Sequence, residues 1–160
     1  MPTRDPVAVN RLLADDAATA DFARCLYGKL PPDFSGWTIL LRGELGAGKS
    51  TFARALINAA GHSGPVPSPT YTLLEPYKMP HGNIYHIDLY RVSSEEELSF
   101  LGWEELDDGL RLVEWPDRAP GLMTQADMVL TLTYENTGRR VELRALSERG
   151  KALVKGFESS

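Results

Sequence analysis

The chain has 160 residues, a formal net charge of −5 and one cysteine. This length suits one domain with a sizeable core, and the acidic balance argues against strong, sequence-independent nucleic-acid binding by this chain alone. A lone cysteine excludes an internal disulfide and fits a reducing cytoplasm, no apolar run approaches a membrane span, and the start Met1-Pro2-Thr3-Arg4-Asp5 lacks the apolar core of a signal peptide.

In chain order, residues 1–15 read as a loosely ordered extension. A helix is predicted from Asp16 to Leu30, stopped by Pro31-Pro32. Ala18, Phe22, Cys25 and Leu26 share its helical spacing, so Cys25 is expected to be a packed core thiol. The apolar run Trp37–Leu41 reads as a buried strand. Directly behind it stands Gly43-Glu44-Leu45-Gly46-Ala47-Gly48-Lys49-Ser50, which spells G-x-x-x-x-G-K-[ST]. A helix follows, with Phe52, Ala53, Leu56, Ile57 and Ala60 at its spacing and Gly61 at its end. Glycines in such a loop let successive backbone N–H groups curl around phosphate oxygens, and the helix N-terminus adds partial positive charge. Lys49 would reach the β- and γ-phosphates and the Ser50 hydroxyl would hold Mg²⁺. The motif in this strand–loop–helix setting predicts a nucleoside triphosphate site.

Gly61–Pro69 is dense in Gly, Pro and Ser and reads as a loop. Within Pro67-Ser68-Pro69-Thr70-Tyr71 the hydroxyls of Ser68 and Thr70 are candidates for a nucleotide-sensing switch, the alternative being a plain turn into a strand. Strands are predicted at Tyr71–Tyr77 and Asn83–Leu89 around a turn at Met79–Gly82. Ser93 and Ser94 precede Glu96 and Glu97 at capping-box spacing and open a short helix to about Leu101. Leu110–Trp115 is a further strand, ending at Pro116. Met128–Tyr134 and Arg139–Ala145 alternate around Glu135–Gly138 and read as a hairpin. Residues 147–160 read as a second loosely ordered extension. Helices and strands interleave first and a hairpin closes, so the expected fold is single-domain α/β, with a mixed sheet flanked by helices and a C-terminal antiparallel hairpin.

Hydrolysis needs an acid near the metal and a group to place the attacking water. Asp88 ends Ile84-Tyr85-His86-Ile87-Asp88 and Glu114 ends Leu110-Arg111-Leu112-Val113-Glu114. Ligands of open α/β sheets sit beyond the carboxyl ends of strands, so either acid can face the nucleotide. One would ligand Mg²⁺ while the other orients a water, in either assignment. His86 is a packing residue or a neighbour of the phosphates. Arg91 and Arg118 are candidate charge-stabilising arginines. Trp115 either caps the core or packs near the nucleotide. One Cys and three His (His62, His81, His86) build no zinc pattern. No Asn/Thr-Lys-x-Asp element is present, which favours ATP over GTP. Seven acids crowd between Glu95 and Asp108, and residues 139–158 carry a surplus of three positive charges. These are solvated surfaces or docking surfaces for partners.

Taken together, Gly-Glu-Leu-Gly-Ala-Gly-Lys-Ser-Thr (43–51), Ser-Pro-Thr-Tyr-Thr-Leu (68–73), Tyr-His-Ile-Asp-Leu-Tyr-Arg (85–91), Glu-Glu-Leu-x-Phe-Leu-Gly (96–102) and Val-Glu-Trp-Pro-Asp-Arg (113–118) closely resemble the TsaE (YjeE) family over about residues 16 to 145. These are bacterial P-loop ATPases of tRNA threonylcarbamoyladenosine (t6A) synthesis. The resemblance implies a cytoplasmic, Mg²⁺-dependent ATPase, slow without partners, that supports turnover of a TsaB–TsaD pair. In that pair TsaD modifies adenosine 37, so tRNA would be met only through the complex. It further implies that Glu44, Leu45, Gly46, Ala47, Gly48, Lys49, Ser50 and Thr51 bind phosphates, with Ser50 at the metal. Ser68 and Thr70 would form the first switch loop, Asp88 the Walker-B-like acid, and Glu114 a metal ligand or water-positioning acid. Ser50 stands where Thr is commoner, Ile87 where Phe is frequent and Asp117 where Glu is frequent. The helix at Asp16–Leu30 is the least family-like portion, and the basic tail after Leu146 matches no motif. The alternatives are a nucleotide-gated binding module with little turnover, and a small P-loop kinase. The kinase is disfavoured by the short, weakly basic segment between Leu101 and the hairpin.

Overall fold

The computed structural model describes residues 7–157. In chain order its elements are β1 (Ala8–Leu13), α1 (Asp16–Lys29), β2 (Thr38–Gly43), α2 (Lys49–Ala59), β3 (Leu74–Met79), β4 (Gly82–Asp88), α3 (Glu97–Phe100), β5 (Gly109–Glu114), β6 (Met128–Glu135), β7 (Gly138–Ala145) and α4 (Glu148–Lys155). Short 3₁₀ segments lie at Trp103–Asp108, Pro116–Arg118 and Pro120–Thr124.

The seven strands form one sheet in the order β1-β7-β6-β2-β5-β4-β3. Its centre, β6-β2-β5-β4, is parallel, and β3, β7 and β1 add to it antiparallel. Side-chain alternation divides the core into two layers. Ile39, Leu41, Ile84, Leu110 and Leu112 face α1, α2 and α4, whereas Leu40, Tyr85, Ile87 and Val113 face α3 and the 3₁₀ segments. Leu26, Phe52, Leu56 and Ile57 from the helices are fully buried in the first layer. Each contributes about 2 kcal/mol of transfer free energy. Period two then carries His86, Asp88 and Glu114 onto the same side of the sheet as α2.

Local chemistry sets the helix ends. The Asp15 carboxylate accepts from Ala18 N–H at 2.8 Å and starts α1. Gly48, at φ 109°, turns the phosphate loop into α2, a left-handed conformation that a side chain would strain. The β6–β7 hairpin closes through Asn136 at φ 55°, with Glu135 paired to Gly138.

Both chain extensions expected to be loosely ordered carry regular structure. Residues Ala8–Leu13 form β1, because Val9 and Leu13 bury on one face and the backbone pairs with β7. Residues Glu148–Lys155 form α4, capped by Ser147, whose hydroxyl accepts from Gly150 N–H at 3.0 Å, and anchored by Leu153, Val154 and Phe157. The outermost parts of these extensions, 1–6 and 158–160, lie outside the described residues. Cys25 is exposed, not packed: α1 turns Phe22, Ala23 and Leu26 inward and leaves the thiol outside that stripe. The strand expected at Tyr71–Tyr77 begins only at Leu74. Thr70 is drawn to Asp88, and Leu73 N–H closes a turn onto Pro69 O at 2.7 Å with Leu73 at φ 68°.

Candidate nucleotide-binding site

Parallel register assembles the site. Leu41 pairs with Glu114, and Glu114 pairs with Asp88. The carboxyl ends of β2, β5 and β4 therefore lie level, and the loop leaving β2 at Gly43 passes beside both acids. A cleft of about 380 Å³ results. Its walls include Glu44, Leu45, Gly46, Gly48, Lys49, Ser50, Thr51, Ser68, Thr70, Asp88 and Glu114. Of the loop residues expected to bind phosphate, only Ala47 stays out of the wall; its side chain is buried in the first core layer. A larger cavity of about 480 Å³ lies beyond Trp115. It shares only Glu44 and Trp115 with the cleft and holds neither strand-end acid nor Lys49, so size does not mark the chemistry here.

Eight described residues are buried polar or charged groups, and four of them, Lys49, His86, Asp88 and Glu114, meet in or beneath this cleft. Charges are costly to bury, and such a concentration is not what core packing selects. The Lys49 ammonium donates to the carbonyls of Gly43 and Glu44, the latter at 3.3 Å, and lies 4.1 Å from the centre of the Trp115 ring. Burial pushes this ammonium below its ordinary pKa, and the charges of Glu114 and Asp88 pull it back upward.

Both acids have internal partners. Asp88 accepts from the Thr70 hydroxyl at 2.9 Å and from Tyr90 N–H at 2.8 Å. The Ser68 and Thr70 hydroxyl oxygens lie 2.8 Å apart, so the Ser68–Thr70 turn is linked to Asp88. Glu114 meets His86 Nε2 at 2.6 Å, while His86 Nδ1 is buried without a hydrogen-bond partner. His86 thus adjoins the site through Glu114, and Trp115 forms part of the wall.

The arginine expectations fared differently. The Arg91 guanidinium lies over Tyr71 at 5.4 Å and that of Arg118 over Tyr90 at 5.7 Å; neither lines the cleft. The arginine that does is Arg139, joined by Asp16 at the start of α1. Sequence reasoning placed Arg139 at the start of a hairpin strand and in a basic tail, not in the site. The available signal was its phase: Arg139 shares the inward period-two positions of Val141, Leu143 and Ala145.

A loop rich in N–H donors, a buried lysine, hydroxyls at Ser50 and Thr51, and two carboxylates can hold a triphosphate with a divalent cation. Among the described residues no cluster of three or more His, Cys, Asp or Glu forms a metal site by itself. Mg²⁺ is commonly held by one or two carboxylates together with phosphate oxygens and water. No described helix is long and apolar enough to cross a membrane.

The family model described as "Threonylcarbamoyl adenosine biosynthesis protein TsaE" matches residues 13–142. Proteins named tRNA threonylcarbamoyladenosine biosynthesis protein TsaE are similar to this chain. The one from Haemophilus influenzae is 39% identical over 123 residues, covering 76% of this chain and 78% of that protein. The one from Rickettsia typhi is 37% identical over 131 residues, covering 81% and 89%, and that from Nostoc sp. is 37% identical over 133 residues, covering 80% of each. The crystal structure of Bacillus subtilis YdiB superposes with a TM-score of 0.75 at 22% identity, covering 98% of each chain, and shares the fold.

Proposed function

The chain belongs to the TsaE (YjeE) family of threonylcarbamoyl adenosine biosynthesis proteins, and from that premise we propose that it is a Mg²⁺-dependent ATPase acting on a TsaB–TsaD pair in t6A37 synthesis. One observation carries the ATPase reading: Lys49, Ser50, Asp88 and Glu114 line a single cleft at the end of the central strands. In this reading the backbone from Glu44 to Thr51 and the Lys49 ammonium bind the phosphates. The Ser50 hydroxyl and one strand-end acid hold Mg²⁺, and the other acid orients a water and accepts its proton. When bound, the cation would neutralise charge that develops on the phosphoryl oxygens. His86 fixes the orientation of Glu114, and the Ser68–Thr70 turn senses the occupant through Asp88. The lone exposed Cys25 accords with work in a reducing cytoplasm. Basal turnover is slow because Arg91 and Arg118 do not reach the cleft and Arg139, which lines it, donates to the carbonyls of Gly46, Ala47 and Gly138, so that a partner completes the site.

The test is phosphate release from ATP by the purified chain, alone and with TsaB and TsaD, beside Glu114→Ala. Stimulation by the partners is expected, with a loss of about 10²- to 10³-fold in the variant and retained nucleotide binding. A second reading, a nucleotide-gated switch with little turnover, draws support from the Thr70–Asp88 and His86–Glu114 bonds, which engage both acids internally. Tight ATP binding without phosphate release under either condition would select it.

A further inference from the structure

The tip of the β6–β7 hairpin holds the phosphate loop from the side opposite the acids. Tyr134 and Arg139 are cross-strand partners, and together they engage three consecutive loop carbonyls. The Tyr134 hydroxyl donates to Leu45 O at 2.9 Å. Arg139 donates through Nη2 to Gly46 O at 3.2 Å and through Nε to Ala47 O at 3.1 Å. A third donor, Nη1, is spent on Gly138 O at 2.9 Å, and the guanidinium carbon lies 4.2 Å from the Tyr134 ring centre. The arrangement requires a planar fork on a flat support, which arginine and tyrosine supply and lysine does not.

We propose that Tyr134 and Arg139 are positioning residues, a clamp that holds the loop in its phosphate-accepting conformation and thereby sets nucleotide affinity. A trans peptide points its N–H opposite to its C=O. Holding the Leu45 and Ala47 carbonyls on the hairpin side therefore holds the Gly46 and Gly48 N–H groups on the other. The middle N–H, that of Ala47, closes a turn onto Glu44 O at 3.0 Å, so the loop is fixed from within as well. Gly46 is part of the same device. It sits at φ 80°, and a Cβ there would come 2.7 Å from the Tyr134 hydroxyl oxygen. A loop already in its binding geometry loses less conformational entropy when a phosphate arrives. The clamp acts before chemistry, so it governs affinity and KM while kcat stays close to that of the parent.

The inference rests on the nucleotide reading of the cleft, and the experiment separates the two. Binding of a fluorescent ADP analogue is titrated against the parent, Arg139→Ala, Arg139→Lys, Tyr134→Phe and, as a control, Lys49→Ala, with thermal midpoints measured alongside. Arg139→Ala is expected to weaken binding about tenfold or more, the scale of lost charged hydrogen bonds, with a matching rise in KM for ATP and a midpoint near the parent's. Arg139→Lys, which keeps the charge but not the fork, is expected to recover only part of the loss. Tyr134→Phe removes one hydroxyl from a half-exposed ring, so its expected loss of a few fold tests the clamp even where Arg139→Ala unfolds. Parent-like binding by Arg139→Ala or Tyr134→Phe beside a defective Lys49→Ala overturns the clamp alone. Full recovery in Arg139→Lys overturns it too, since charge would then suffice. Parent-like binding by Lys49→Ala overturns the nucleotide reading and the clamp with it.

Discussion

Replacing Asp127 by alanine tests how the foot of the central strand is held. This carboxylate is 3% exposed and accepts four hydrogen bonds: from Thr38 N–H at 3.0 Å, the Ser147 hydroxyl at 2.7 Å, Arg149 Nε at 2.8 Å and Arg149 Nη2 at 3.0 Å. It thereby ties the first residue of β2, the strand that delivers the phosphate loop, to the cap and first turn of α4. The Arg149 side chain is 48% exposed, so its pair is discounted for solvent screening. The buried Thr38 bond and the part-buried Ser147 bond to a charged acceptor, and the donors stranded by their loss, place the cost of Asp127→Ala at about 3 kcal/mol. For a domain of this size that is a fall in thermal midpoint of roughly 6–12 °C. Burial pushes the Asp127 carboxyl up, but Arg149, Ser147 and Thr38 more than offset it and hold the group below the usual carboxylate range. A depressed folded pKa means that the stabilisation is complete above the unfolded value of about 3.9 and is lost as pH falls through the folded value. Thermal unfolding followed by circular dichroism from about pH 7 down to about pH 3 reads both effects. The gap between parent and variant should be full at neutrality and shrink at the acid end. A variant within about 2 °C of the parent at neutral pH, or a gap that does not change with pH, refutes the reasoning.

Two further predictions bear on the site and its scaffold. Chelation of divalent cations should abolish phosphate release while leaving weaker nucleotide binding measurable by equilibrium dialysis, because Lys49 and the loop amides still hold phosphate; undiminished release in excess chelator would contradict the Mg²⁺ assignment. Phe52→Ala empties a fully buried position where α2 packs on the sheet. It should cost about 3–5 kcal/mol, read as a lower urea midpoint at unchanged slope, and a shift below about 1 kcal/mol would show that the core closes around the gap.

Most of the architecture was legible because its signals are local. Pro31 stops α1, the phosphate motif sits between β2 and α2, and the turn around Asn136 closes a hairpin whose strands alternate. What escaped depended on partners far away in the chain. Residues 8–13 alternate too weakly to declare a strand, yet β7 supplies a full ladder for them. Glu148–Lys155 is a short polar helix that is stable only because Asp127 receives Arg149 and the core receives Leu153 and Val154. Tyr71 and Thr72 belong to β-favouring types, but Thr70 is held by Asp88 and the local preference yields.

The site divides along the same line. Lys49, Ser50, Asp88 and Glu114 could be named in advance because each stands at a sequence landmark, a motif or a strand end. That they converge is a matter of register: a slip of one residue between β4 and β5 would turn Asp88 or Glu114 to the opposite face of the sheet. Arg139 had no landmark of its own. An arginine after a hairpin turn is ordinary, and it gains meaning only when β6 lies beside β2 and brings the hairpin tip against the phosphate loop. The strand order therefore gives the loop two different neighbours. The acids of β4 and β5 stand on one side, where chemistry would occur, and the hairpin side chains stand on the other, where the shape of the loop is held. Hydrolysis and affinity should accordingly respond to separate substitutions, Glu114→Ala lowering kcat at near-constant nucleotide affinity and Arg139→Ala doing the reverse.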